Sequence, residues 1–170
     1  MKKLFSILIG VFVLLTFSLN TFSQSSKEEL DQVELLKQLV GTWQADIAKD
    51  TVLIMKFTHT GTGMYFIQEF QAKGKTYDTT SGIIGFSEDK QFVVGYSLWQ
   101  NGNITHDLGH FVSPQKLMSE RFYNDQKHAR MMVEMEFQSP EQYIWRGKWR
   151  GVKMDWPKEW FIESTLKKVN

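Results

Sequence analysis

The chain has 170 residues, 42% hydrophobic and 14% aromatic, without low-complexity tracts, which argues against disorder and for one domain with a real core. A formal net charge of +1 provides no strong field for nucleic acid or an anionic membrane surface. The absence of cysteine rules out disulfides, a lipidated cysteine after the leader and any thiolate metal site.

Met1 to Ser23 reads as a signal peptide. Lys2 and Lys3 form a basic start, and Leu4 to Phe17 an apolar run too short for a comfortable membrane span. Thr21 and Ser23 are the small residues that place cleavage before Gln24, so residues 24–170 form the mature, exported domain, periplasmic or secreted. Ser26-Lys27-Glu28-Glu29 fits a capping box, and Leu30, Val33, Leu36 and Val40 recur at helical spacing up to Gly41. That helix is either a lid over a cavity mouth or a plug packed on a barrel end.

After Gly41 the period falls to two. Trp43, Ala45 and Ile47 share a face, followed by Leu53, Met55 and Phe57, and then Met64, Phe66, Gln68 and Phe70. Lys73-Gly74-Lys75 makes a hairpin tip. Further strands run through Gly82–Phe86, Phe92–Leu98 (Phe92, Val94, Tyr96, Leu98), Ile104–Val112 (Ile104, His106, Leu108, His110, Val112) and Leu117–Tyr123. Ala129, Met131, Val133, Met135 and Phe137 alternate with Arg130, Met132, Glu134 and Glu136. Tyr143, Trp145, Gly147 and Trp149 oppose Ile144, Arg146, Lys148 and Arg150, and a last strand spans Trp160 to Leu166. Roughly ten strands with short turns predict an all-β fold, most simply a single antiparallel up-and-down barrel whose closure removes exposed edges.

Gly41-Thr42-Trp43, opening the first strand after a short helix, resembles the Gly-x-Trp signature of the calycin superfamily: lipocalins, fatty-acid-binding proteins and nitrobindin-like barrels. The resemblance is nearest to exported bacterial lipocalin-like proteins of the DUF1579 type. It implies that Trp43 packs across the closed barrel end, covered by a basic residue from a late strand; Arg146, Lys148 and Arg150 are the candidates.

The alternating faces predict an interior lined by Met55, Phe57, Phe66, Phe70, Tyr96, Met131, Met135, Tyr143, Trp145 and Trp149, with Gln68, His106, His110 and Arg121 as its polar members. Either these residues fill a core or they hold a small hydrophobic or amphipathic molecule, with Arg121 suited to a carboxylate. His106 and His110 are four residues apart on a strand, about 13 Å, so they cannot share a zinc ion. One histidine could ligate haem iron, as in nitrobindin-like barrels, but no second motif supports it, and neither a cofactor nor a metal is expected. Lys73-Gly74-Lys75-Thr76 lacks the earlier glycine of a phosphate-binding loop, because position 69 is Glu69. Glu134 and Glu136 face outward by pattern, and Arg146, Lys148, Arg150 and Lys153 read as a solvated face. Met154-Asp155-Trp156-Pro157 either closes the mouth or docks outside. The leading reading is a non-enzymatic binding barrel. The alternatives are an interaction module marked by an exposed apolar patch, and an isomerase or hydrolase using His106 or His110 as base.

Overall fold

The computed structural model describes residues 30–124, 128–150 and 155–169. The leader, its cleavage site, the Ser26–Glu29 capping box and Lys153 lie outside the described residues. The helix α1 (Gln32–Leu36) is short, and Asp31 caps it, its side chain accepting from the amides of Val33 and Glu34 at 3.1 and 3.0 Å. A 3-10 turn (Lys37–Leu39) follows. Among the described residues no helix is long and apolar enough to cross a membrane.

Ten strands follow: β1 (Gly41–Ala48), β2 (Thr51–Thr60), β3 (Gly63–Ala72), β4 (Lys75–Ser87), β5 (Phe92–Trp99), β6 (Ile104–Ser113), β7 (Lys116–Tyr123), β8 (Met131–Ser139), β9 (Gln142–Trp149) and β10 (Ile162–Val169). Each pairs antiparallel with its neighbour, and β10 returns to β1, closing the barrel. Lys73 (φ 51°) and Gly74 (φ 74°) are both left-handed, as the tight β3–β4 hairpin requires.

The two ends differ. At one, α1 and the turn after it drive Leu36 and Leu39 into the barrel beside Trp43, Tyr143, Phe111, Met64 and Leu166, all essentially buried. Each such side chain contributes about 1.5–3 kcal/mol of burial. Gln32 fixes α1 to β6: its side chain accepts from the Phe111 amide at 2.7 Å and donates to the Phe111 carbonyl at 3.3 Å. The helix is therefore the plug.

Trp43 packs across this end as the resemblance implied. Its indole N–H donates to the Leu39 carbonyl at 2.6 Å, and its ring meets Tyr143 edge-on at 4.8 Å. The basic residue over it, however, is Lys168, with Nζ 5.1 Å from the ring centre. Register explains the difference, because β10 places Lys168 directly opposite Trp43, whereas Arg146 and Lys148 stand on the outer side of β9. Gly41 has φ 130°, and a Cβ there would run into the Lys168 stem.

The expected solvated basic face is more engaged than the charge pattern suggests. Arg146 donates to Glu136 at 2.7 Å and to Glu163 at 2.6 Å, and pairs with Glu134; Lys116 reaches both Glu134 and Glu136. This ladder across β7–β10 holds the Glu136 carboxyl below its ordinary range, chiefly through the Arg146 hydrogen bond, and raises the Arg146 guanidinium above its own. Lys148 lies 4.7 Å over Trp160, and Arg150 4.3 Å over Trp156. Trp156 is thus held on Arg150.

Candidate functional site

Away from the plug the barrel is not filled. A cavity of about 350 Å³ is lined by Ile47, Leu53, Met55, Gln68, Phe70, Trp99, Arg121, Tyr123, Met131, Trp145, Trp149, Ile162, Glu163 and Ser164. It opens at the end opposite the helix. The seam strands β1 and β10 are registered only at Thr42–Val169, Trp43–Lys168 and Gln44–Lys167. Beyond those pairs, Ile47 on one strand and Ile162, Glu163 and Ser164 on the other border the cavity. Gly147 helps keep the space open: a side chain there would collide with Met131 and Trp145.

The lining is two-sided. Apolar bulk comes from β1, β2, β8, β9 and β10, through Ile47, Leu53, Met55, Met131, Trp145, Trp149 and Ile162. On β3–β7 the inner face carries polar side chains in cross-strand register, beside Phe70 and Trp99: Gln68 opposite Thr80, Thr80 opposite Trp99, Ser97 opposite Thr105, and Asp107 opposite Arg121. Arg121 grips Asp107 in a two-pronged pair, Nε–Oδ1 2.8 Å and Nη2–Oδ2 3.2 Å. Burial opposes the charge on Arg121, but Asp107 outweighs it and raises the guanidinium pKa above its ordinary value. Burial also pushes the Tyr123 phenol up, against the pull of Arg121. The Trp99 indole N–H donates to the Thr105 hydroxyl at 3.4 Å. The Thr80 hydroxyl is buried with no hydrogen-bond partner among the described residues, which costs about 1–3 kcal/mol unless a water supplies one.

Of the residues predicted to line the interior, the fold brings Met55, Gln68, Phe70, Arg121, Met131, Trp145 and Trp149 together around the cavity. Phe57, Phe66, Met135 and Tyr143 face inward but belong to the packed core near the plug. Tyr96, His106 and His110 are corrected: they stand on the outer face, Tyr96 being 47% exposed and His106 stacked on Phe122 at 4.6 Å. Neither histidine can therefore act as a base on a molecule in the cavity. Hydrophobicity misdirects there, because β5 and β6 turn small or polar side chains inward, Gly95, Ser97, Thr105, Asp107 and Gly109. The inward register follows from Val93 and Phe111, which are 3% and 2% exposed. Trp99, Asp107 and Thr80 were missed for the same reason. The signal that finds Asp107 is its charge opposite to that of Arg121, each seven residues from Pro114.

No family model matches the sequence, and no curated protein matches it. Solved structures do match. The crystal structure of Rv2717c from M. tuberculosis aligns with a TM-score of 0.59 at 12% identity, covering 83% of this chain and 99% of that one. A structure of EF1p2_mFAP2b bound to DFHBI covers 82% of this chain and 100% of that one at 15% identity, with a TM-score of 0.35. The likeness to Rv2717c is one of fold alone, that of a closed β-barrel.

Proposed function

We propose that the protein is an exported, non-enzymatic carrier that holds a small, largely apolar molecule inside the mouth half of its barrel. Within calycin-like barrels it is akin to the exported bacterial lipocalin-like, DUF1579-type group. The observation that carries the reading is the unfilled cavity of about 350 Å³ under Met55, Phe70, Met131, Trp145 and Trp149, within the usual size range of small-molecule sites. Export rests on the leader sequence, Met1 to Ser23. Native mass spectrometry of the protein purified from its own host tests both parts. The expected species begins at Gln24 and carries the added mass of a small molecule that denaturation releases. A ligand-free species that also fails to take up any uncharged apolar fluorophore overturns the carrier reading, and an intact N-terminus overturns export.

One observation favours a second role, as an interaction module. Tyr65, Ile83, Tyr96, His106 and Phe122 stand directly opposite one another across β3–β7 on the outer face. Ile83, Leu98 and Ile104 are 57%, 54% and 52% exposed. The patch is on the order of 500 Å². Its fitting occupant is a second copy of this chain presenting the same row, burying about 1,000 Å² in total, where specific interfaces begin. Sedimentation should show a dimer that Ile83→Glu with Leu98→Glu converts to monomer; a wild type that stays monomeric at every concentration removes this role.

A further inference from the structure

We infer that the guest carries an uncharged hydrogen-bonding head, of amide or alcohol type, rather than a carboxylate or an amine; this deepens the carrier reading and rests on it. Among the described residues lining the cavity the charged ones are Arg121 and Glu163, and each is already matched. Arg121 gives two N–H groups to Asp107, and Glu163 accepts from Arg146 at 2.6 Å on the outside of the wall. Among the described residues the site offers no uncompensated charge. A carboxylate brought to Arg121 would stand beside Asp107, a like-charge contact inside a partly desolvated wall, and an ammonium at Asp107 would meet Arg121 in the same way.

Neutral hydrogen-bonding capacity is what remains open. Gln68 has an amide on the cavity wall, able both to donate and to accept. Cross-strand from it, just outside the lining residues, is Thr80, 2% exposed, whose hydroxyl has no partner among the described residues. Arg121 keeps N–H groups beyond those given to Asp107. A primary amide or a hydroxyl can satisfy donors and acceptors at this wall without bringing a charge. The facing wall of Met55, Met131, Trp145 and Trp149 takes the chain.

The test is displacement of N-phenylnaphthylamine, an uncharged fluorescent probe, by decanamide, decanoate and decylamine at neutral pH. These have the same chain length and differ in head charge. The wild type should bind decanamide at least about tenfold more tightly than either charged analogue. Asp107→Asn frees the Arg121 charge while keeping an acceptor in place, and should improve decanoate by about tenfold or more. Gln68→Leu, which leaves the ion pair intact, should weaken decanamide alone. Decanoate binding as well as decanamide to the wild type, or an unchanged ratio in Asp107→Asn, overturns the neutral-head assignment and leaves the carrier standing. If neither the probe nor any of the three amphiphiles binds, the carrier reading itself falls.

Discussion

Trp43→Phe separates the plug from the cavity. The indole is fully buried, donates to the Leu39 carbonyl at 2.6 Å and meets Tyr143 at 4.8 Å. Phenylalanine keeps a ring in the slot but loses the donor, stranding a carbonyl in the core at about 1–3 kcal/mol. It also gives up roughly 40 Å² of buried surface, about 1 kcal/mol. Part of the edge contact, worth about 0.5–1.5 kcal/mol, is lost as well. The sum is about 3 kcal/mol, a large share of the 5–15 kcal/mol typical of a domain. Urea unfolding followed by circular dichroism should show a midpoint lowered by about 1–2 M with an unchanged slope. Lys168→Met, removing only an exposed cation over the ring, should cost less than about 1 kcal/mol. Ligand affinity measured below the transition should not change in either variant, because the cavity lies at the other end. A cost below about 1 kcal/mol for Trp43→Phe, or a loss of binding by folded protein, would refute this division of the barrel.

The inner ion pair is a second test. Arg121 and Asp107 side chains are 18% and 16% exposed, so Arg121→Met strands a partly buried carboxylate and should cost about 2–4 kcal/mol. Adding Asp107→Leu should recover more than half of that in a double-mutant cycle, and strictly additive costs would show that the pair is not coupled. A third test concerns alkaline pH. Burial lifts the Tyr143 phenol well above its ordinary value near 10, so its raised folded pKa gives stability that is complete below pH 10. Above that pH the unfolded chain loses the proton first, and stability should fall by about 1.4 kcal/mol per pH unit. Tyr143→Phe should flatten that decline, and an identical alkaline slope in the variant would contradict it.

Strand number and order were legible because turn residues punctuate the chain at short intervals and each strand pairs with the next. Facing was legible only where large apolar and polar residues alternate cleanly. On β8, Met131, Val133, Met135 and Phe137 alternate with Met132, Glu134 and Glu136, and the inward set was read correctly. On β5 and β6 the rule inverts: the inner wall needs small and hydrogen-bonding groups beside the cavity, and the outer wall carries Tyr96, Leu98 and Ile104. A period of two gives the alternation but not its phase, and bulk gave the wrong phase. Lys168 escaped for a different reason. Its match with Trp43 depends on the closing β1–β10 register, which joins residues 125 positions apart and leaves no local trace. The aromatic row on the outer face was invisible for the same reason, since it exists only once the registers of five strands are aligned.

An unfinished core and a kept site both leave a cavity, and Ser164→Trp distinguishes them. Ser164 lines the cavity and lies opposite Trp145 on β9. An indole there grows into free space of about 350 Å³, not into packed atoms. If about 100 Å² of it becomes buried, the gain is about 2.5 kcal/mol. Were the space merely a packing defect, stability would rise and nothing else would change. For a carrier, the same substitution must raise the urea midpoint and abolish probe binding together, the stability–function trade-off expected of a site held open. The plug end makes the hollow tolerable: Leu36, Leu39, Trp43, Phe111, Tyr143 and Leu166 form a dense core there, with Met55 the buried residue that this core and the cavity share. A Ser164→Trp protein that is destabilised by about 1–3 kcal/mol would mean that the wall cannot accommodate bulk, and the cavity would then be too tight for a guest. A stabilised variant that still binds the probe would put the binding site elsewhere.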